Sequence, residues 1–131
     1  MRENSVMTDS TQPRPEPRLR LRLYFGSAML GPGKAELLER IRDSGSISAA
    51  GRAMGMSYKR AWMLVEEMNA AFAQPVVDSA RGGAGGGGAR LTETGTTVLA
   101  EFRALEAVTR SEGAGHIAAL QALLRDIPDE K

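Results

Sequence analysis

Residues 46–68 read SISAAGRAMGMSYKRAWMLVEEM, a helical pattern that halts at Gly55-Met56-Ser57 and restarts at once in a polar, basic and aromatic cluster, Tyr58-Lys59-Arg60-Ala61-Trp62. One continuous core helix has no use for Gly55. Two short helices held at an angle do, because a helix-turn-helix needs small residues where the helices cross and a turn residue that tolerates positive φ. Ala50 and Gly51 supply the crossing and Gly55 the positive φ. Met54 and Met56 pack on either side of the turn, and Ala61 and Leu64 look back from the second helix. Ser48 is expected to cap a helix over 48–55 and Ser57 one over 58–73, since a serine hydroxyl accepts from the free N–H groups of a first helical turn. In the later helix Ala61, Leu64, Val65, Met68 and Phe72 recur at spacings of three and four as one apolar stripe. Lys59, Arg60, Met63 and Glu66 fall away from that stripe, and Trp62 falls at its edge.

The flanking segments extend this pair into a larger unit. Leu19-Arg20-Leu21-Arg22-Leu23-Tyr24-Phe25 alternates with period two, the mark of a half-buried strand. Gly31-Pro32-Gly33 breaks the chain, and a helix over Lys34–Asp43 carries Leu37, Leu38 and Ile41 on one face, with Gly45 as its stop. Downstream, Pro75-Val76-Val77-Asp78 and Ala89–Leu91 read as two strands of a hairpin around a loop with six glycines, bounded by Arg81 and Arg90. Thr92 or Thr94 then opens a long helix to about Arg110 bearing Val98, Leu99, Phe102, Leu105 and Val108. Gly113 and Gly115 interrupt it, and a last helix over about 116–126 carries Ile117, Leu120, Leu123 and Leu124. The fold class expected is mainly α with a small β-hairpin: a winged helix-turn-helix with a tri-helical core, a wing and a long C-terminal dimerisation helix. Residues 1–18, with Pro13, Pro15 and Pro17, are expected to be a disordered tail. Residues 19–110 are the expected DNA-binding domain and 111–131 a short helical extension.

The first turn of a recognition helix points into the DNA major groove. Here that turn offers Ser57, Tyr58, Lys59 and Arg60. Lys59 and Arg60 suit phosphate or guanine, Tyr58 has a hydroxyl to donate, and the wing glycines let backbone N–H groups approach phosphate. Residues 40–90 carry seven Lys or Arg against four Asp or Glu, whereas 91–131 carry four against seven. A basic middle and an acidic end suit a surface that meets a polyanion and another that faces away. An αα-hairpin with solvated cations is the plainer reading, and the preceding helix and following hairpin count against it. Trp62 either abuts DNA or plugs the edge of the helical core. Met54, Met56 and Met68 suit core filling, with Met63 exposed.

Other chemistries find little footing. With no cysteine and one histidine, His116, the chain offers no disulfide or Cys/His metal site. His116 is expected at the surface, and Glu66-Glu67 and Asp126, Asp129 and Glu130 in solvent. Gly83–Gly88 satisfies G-x-G-x-x-G only as any glycine run does, without the strand-then-helix setting of a dinucleotide site. No cofactor and no enzymatic activity are expected. No apolar run approaches a membrane span of about 18 residues, and the first residues lack a secretory signal, so no membrane partner and a cytoplasmic location are expected.

The stretches SGSISAAGRAMGMSYKRAWMLVEEMN and RGGAGGGGARLTETG resemble the N-terminal domain of ModE-type molybdate-dependent transcriptional regulators, itself related to the winged helix of LysR-type regulators. The resemblance covers about Leu19 to Arg110. It implies a winged helix that dimerises partly through the helix after the wing and binds a two-fold related operator on double-stranded DNA. By that resemblance Ser46, Ser57, Tyr58, Lys59, Arg60 and Trp62 form the recognition surface, with Arg81 and Arg90 flanking the wing. Ser48 and the wing glycines Gly85 and Gly86 complete the expected DNA-contacting set. A homodimer through Val98, Leu99, Phe102 and Leu105 is expected. Such regulators continue into molybdate-binding barrels; the stretch after Arg110 is too short for one, so no small-molecule effector site is expected here. The alternative from another class is a winged-helix protein-interaction module that modulates a full-length regulator.

Overall fold

Three glycines and two serines decide how the central helices are set. In the computed structural model, which describes residues 16–80 and 88–125, α1 (Pro32–Ser44) ends at Gly45, whose φ of 73° lets its N–H donate to Ile41 O at 2.8 Å. α2 (Ile47–Ala53) and α3 (Tyr58–Ala71) follow, joined through Gly55 at φ 75°. At their crossing, a Cβ placed on Gly51 would sit 2.7 Å from the Ala61 Cβ, so the close approach requires glycine. Met54 and Met56 pack half-buried against the core on either side of the turn.

The caps correct one expectation. Ser57 caps α3 as read, its hydroxyl accepting from Arg60 N at 3.0 Å. α2 is capped not by Ser48 but by Ser46, which accepts from Ala49 N at 3.0 Å. Ser46 is the residue still extended, at φ −150° and ψ 127°, as an N-cap is, and the helix starts at Ile47, which belongs to the core. α1 likewise starts two residues before the expected Lys34. The Gly31-Pro32-Gly33 break is its first turn, since proline at N1 forfeits no hydrogen bond. Replacing Ser57 by Ala should cost about 1 kcal/mol, a fall of roughly 4–8 °C in melting temperature for a domain this small. Thermal unfolding followed by circular dichroism checks it, and an unchanged melting point would remove the cap from the account.

Two hairpins flank the helices rather than one. β1 (Leu23–Phe25) pairs antiparallel with β2 (Ala28–Leu30), Leu23 opposite Leu30 and Phe25 opposite Ala28. The strand expected over 19–25 is therefore only three residues long: Gly26, at φ 62°, turns the chain back, and the returning strand stops at Leu30 before α1, so residues 19–22 have no strand to pair with among the described residues. The alternation still holds: Leu19, Leu21 and Leu23 are half-buried and Arg20, Arg22 and Tyr24 exposed. The second hairpin joins β3 (Val77–Ala80) to β4 (Gly88–Leu91), with Val77 opposite Leu91 and Asp78 opposite Arg90. Asn69 of α3 fastens its base: Oδ1 accepts from Val76 N at 2.8 Å and Val77 N at 3.1 Å, and Nδ2 donates to Val77 O at 3.2 Å.

Thr92 ends the hairpin and caps α4 (Glu93–Glu112), accepting from Gly95 N at 2.9 Å and donating to Pro75 O at 2.7 Å. α5 (Ala114–Ala122) follows after Gly113; Gly115 lies within it and interrupts nothing. Leu37, Leu38, Ile41, Ala61, Val65, Met68, Val76, Leu99 and Phe102 form one core spanning α1, α3, the hairpin base and α4. The arrangement is a winged helix-turn-helix. It corrects the expected seam: Leu99 and Phe102, at 5% and 2% exposed, cover the tri-helical core of their own chain, while Leu105 and Val108 further along α4 are exposed. Among the described residues no helix is long and apolar enough to cross a membrane.

Candidate nucleic-acid interface

Ser57, Tyr58, Lys59 and Arg60 all stand exposed at the start of α3, as their place before and within its first turn requires. That turn holds no acidic residue. Cations there work against the helix dipole, whose N-terminal end is already positive. Elsewhere in the helices Arg40 meets Glu36 at 2.8 Å, Arg42 meets Asp43 at 2.9 Å, and Lys34 meets Glu67 at 3.2 Å, whereas Arg52 and Arg110 stand singly without an ion pair among the described residues. The Arg42–Asp43 hydrogen bond raises the arginine pKa and lowers that of the carboxyl. Lys59 and Arg60 make no ion pair among the described residues. The start of α3 is thus a concentration of unneutralised positive charge, suited to an anion.

Beside it runs a groove of about 480 Å³ between the start of α2, one face of α3 and the base of the wing. Ser46 and Ser48 line one side, with their hydroxyls 3.4 Å apart. Tyr58, Trp62 and Glu66, spaced by four along α3, form the floor, and Ser79, Gly88 and Ala89 the wing side. Tyr58 meets Trp62 edge to face, ring centroids 6.1 Å apart. Trp62 is half-buried against the core, and its Nε1–H is buried with no acceptor among the described residues. Both readings of Trp62 therefore describe part of it: the ring packs on the core and also floors the groove.

The structure brings Ser46, Ser48, Tyr58 and Trp62 around one groove, with Lys59 and Arg60 exposed next to it. Arg90 is exposed on β4, opposite Asp78. Arg81, Gly85 and Gly86 lie outside the described residues. His116 is exposed on α5. Glu66 and Glu67 are both exposed, Glu66 at the groove and Glu67 also paired with the buried ammonium of Lys34, which donates to Met29 O at 2.9 Å. Sequence reasoning passed over that link, and over Asn69, because their partners are distant in the chain or are backbone atoms.

A tri-helical head, a capped α3 with cations in its first turn, and a hairpin beside it are the parts of a winged helix-turn-helix. The family model described as "Bacterial regulatory helix-turn-helix protein, lysR family" matches residues 33–96. Residues 33–96 form a lysR-family helix-turn-helix domain. Several curated proteins are similar to part of this chain. Molybdenum-pterin-binding protein MopA of Rhodobacter capsulatus is 44% identical over 89 residues, 67% of this chain and 34% of the relative. MopB of the same organism is 49% identical over 80 residues, 61% and 30% of the two chains. The DNA-binding transcriptional dual regulator ModE of Escherichia coli K12 is 44% identical over 68 residues, 52% and 26%. The chain thus spans about a third or less of the length of these curated relatives. The resemblance read from SISAAGRAMGMSYKRAW and the glycine-rich wing therefore stands at the level of the lysR-type domain and its ModE and Mop relatives.

Proposed function

We propose that this protein binds double-stranded DNA sequence-specifically, as a homodimeric transcriptional regulator. The observation that carries the reading is the adjacent pair Lys59 and Arg60, without ion pairs among the described residues, beside exposed Tyr58 at a helix start whose groove the wing base also lines. Such a turn reads base edges from the major groove while the wing follows the backbone. The name of the Escherichia coli relative, a DNA-binding transcriptional dual regulator, supports the same reading. Ser46, Ser48, Ser57, Tyr58, Lys59, Arg60, Trp62 and Arg90 are the proposed contacts, with Arg81, Gly85 and Gly86 of the wing.

The test is fluorescence anisotropy across a salt series, on a duplex selected by the protein from a random pool and on a scrambled control. Specific binding at least about a thousandfold tighter than the control is the expected range for such readers. Equal affinity for both duplexes, or none at any salt, would overturn the reading in favour of a protein-interaction module.

The proposed dimer seam keeps Leu105 of the expected stripe, adds Val108, and takes in the Leu120, Leu123 and Leu124 face that the sequence also offered as an addition. Leu105 and Val108 of α4 and Leu120 of α5 are 37%, 55% and 65% exposed, and Leu123 just beyond α5 is 81% exposed. α5 is mostly apolar, with His116 and Gln121 its polar side chains, yet it contributes no buried residue, which leaves apolar surface open to a partner. Leu120→Glu/Leu123→Glu should convert dimer to monomer in sedimentation velocity at micromolar concentration while leaving the melting of the head intact. A wild type that sediments only as monomer would sink the seam.

A further inference from the structure

A charged cluster that the DNA-reading surface does not use fastens the head to α4. Arg103 Nε and Nη2 each donate at 2.9 Å to the two carboxylate oxygens of Glu39 on α1, and Nη1 donates to Glu106 Oε1 at 2.7 Å. Glu106 is 6% exposed. The bond to Glu39 above all, then that to Glu106, keeps the guanidinium charged well beyond its ordinary range against desolvation by burial.

Charge burial of this kind is a weak source of stability, since desolvation offsets most of the attraction and apolar residues do as well. What a two-pronged arginine–carboxylate pair adds is a fixed plane and direction. Its place on α4 gives that direction a use. Leu99 and Phe102, just before it, are core; Leu105 and Val108, just after it, are exposed. On the buried face of α4 Glu106 is the last buried residue, so the Arg103–Glu106 pair sits at the end of the stretch by which α4 packs on the head.

We infer that Arg103, clamped by Glu39 and Glu106, is a positioning residue that fixes the angle at which the distal half of α4 leaves the head, and so sets the half-site spacing that the dimer accepts. This rests on the dimeric DNA-binding reading above. The lever is long enough. From Arg103 to Glu112 the helix runs about 14 Å at its usual rise. A swing of about 10° moves its end by about 2.4 Å, and the two-fold doubles that to more than the base-pair step of about 3.4 Å.

The experiment uses the full chain and a spacing ladder: the selected duplex, the same duplex with one or two base pairs inserted between half-sites, and a single half-site. Because Arg103→Ala alone would strand the buried Glu106, the main variant is Arg103→Met/Glu106→Leu. Arg103→Lys, which keeps the charge and loses the fork, is the second. Wild type is expected to lose about tenfold or more per inserted base pair, since each insertion also rotates one half-site away. The double variant should melt as a folded protein, bind the single half-site within about twofold of wild type, and show a ladder flattened to within about threefold. Arg103→Lys should broaden it in the same direction. A folded double variant with the wild-type ladder would overturn the clamp alone, as would a parallel loss on the single half-site. A wild type indifferent to spacing, or binding no duplex, would overturn the dimeric reading and the clamp with it.

Discussion

Gly95→Ala is expected to lower the melting temperature by roughly 10 °C or more, the largest stability loss from a single added methyl group in this protein. Gly95 is buried in the first turn of α4, and a Cβ built there runs into the Val76 carbonyl oxygen. That carbonyl cannot turn aside. It accepts from Thr92 N at 3.0 Å, the neighbouring Val76 N–H is held by Asn69, and Pro75 O is held by the Thr92 hydroxyl. α4 and the wing base would have to part. Alanine's better helix propensity returns up to about 1 kcal/mol, but overpacking costs about 1–3 kcal/mol and more where the obstacle is backbone. The clash should win. Gly115→Ala is the control, since nothing lies within 4 Å of its added Cβ and the residue is helical; that change should leave the melting point level or raise it. A Gly95→Ala melt within about 3 °C of wild type would mean that α4 slides freely over the wing base.

That contact was not legible in the sequence, and the reason is general. Gly51 and Gly55 announce themselves because they interrupt a local helical pattern, and the structure gives each the role its position suggests. Gly95 sits three residues into a helix whose start Thr92 already explains, and the atom it approaches is a carbonyl nineteen positions back, with no side chain to leave a trace. The apolar stripes of α1 and α3 were equally readable, because periodicity is a property of one element. The stripe of α4 was readable too, but not its partner. Val98, Leu99, Phe102 and Leu105 form a continuous apolar face whether the other side is the same chain or a second copy. The head proved large enough to cover Leu99 and Phe102 itself, which moved the open face towards Leu105, Val108 and α5.

The candidate site divides in the same way. Ser57, Tyr58, Lys59 and Arg60 follow from one element and one cap, and the structure exposes all four. The groove beside them needed the placement of Ser46 and Ser48 against Ser79 and Gly88, residues more than thirty apart, and only tertiary structure supplies it. Glu106 left one local signal, a carboxylate four residues after Phe102 and so on the buried face of its helix. Its partner Glu39, reached through Arg103, is 64 residues from that arginine.

Lys59→Ala and Arg60→Ala are expected to weaken DNA binding in ways that tell their roles apart. A cation on phosphate contributes about 0.9 to the slope of log affinity against log salt, so its loss should lower the slope by about one unit and weaken all sequences alike. A cation forked onto guanine should instead cost about 1–3 kcal/mol at one base position, up to about a hundredfold in affinity, and relax preference there. The double variant should lose both kinds of contact and approach the scrambled-duplex affinity. Unchanged affinity and slope in both single variants would remove the start of α3 as the reading surface. The free protein supplies an independent check with the opposite sign. Both cations sit at the positive end of α3 with no acidic neighbour in the turn, an arrangement that costs about 0.3–1 kcal/mol per charge. Their removal should therefore raise the melting temperature slightly while binding falls. Damage to the fold would lower both together, so a rise in one and a loss in the other would identify charge kept at a cost in stability for the sake of an anionic partner.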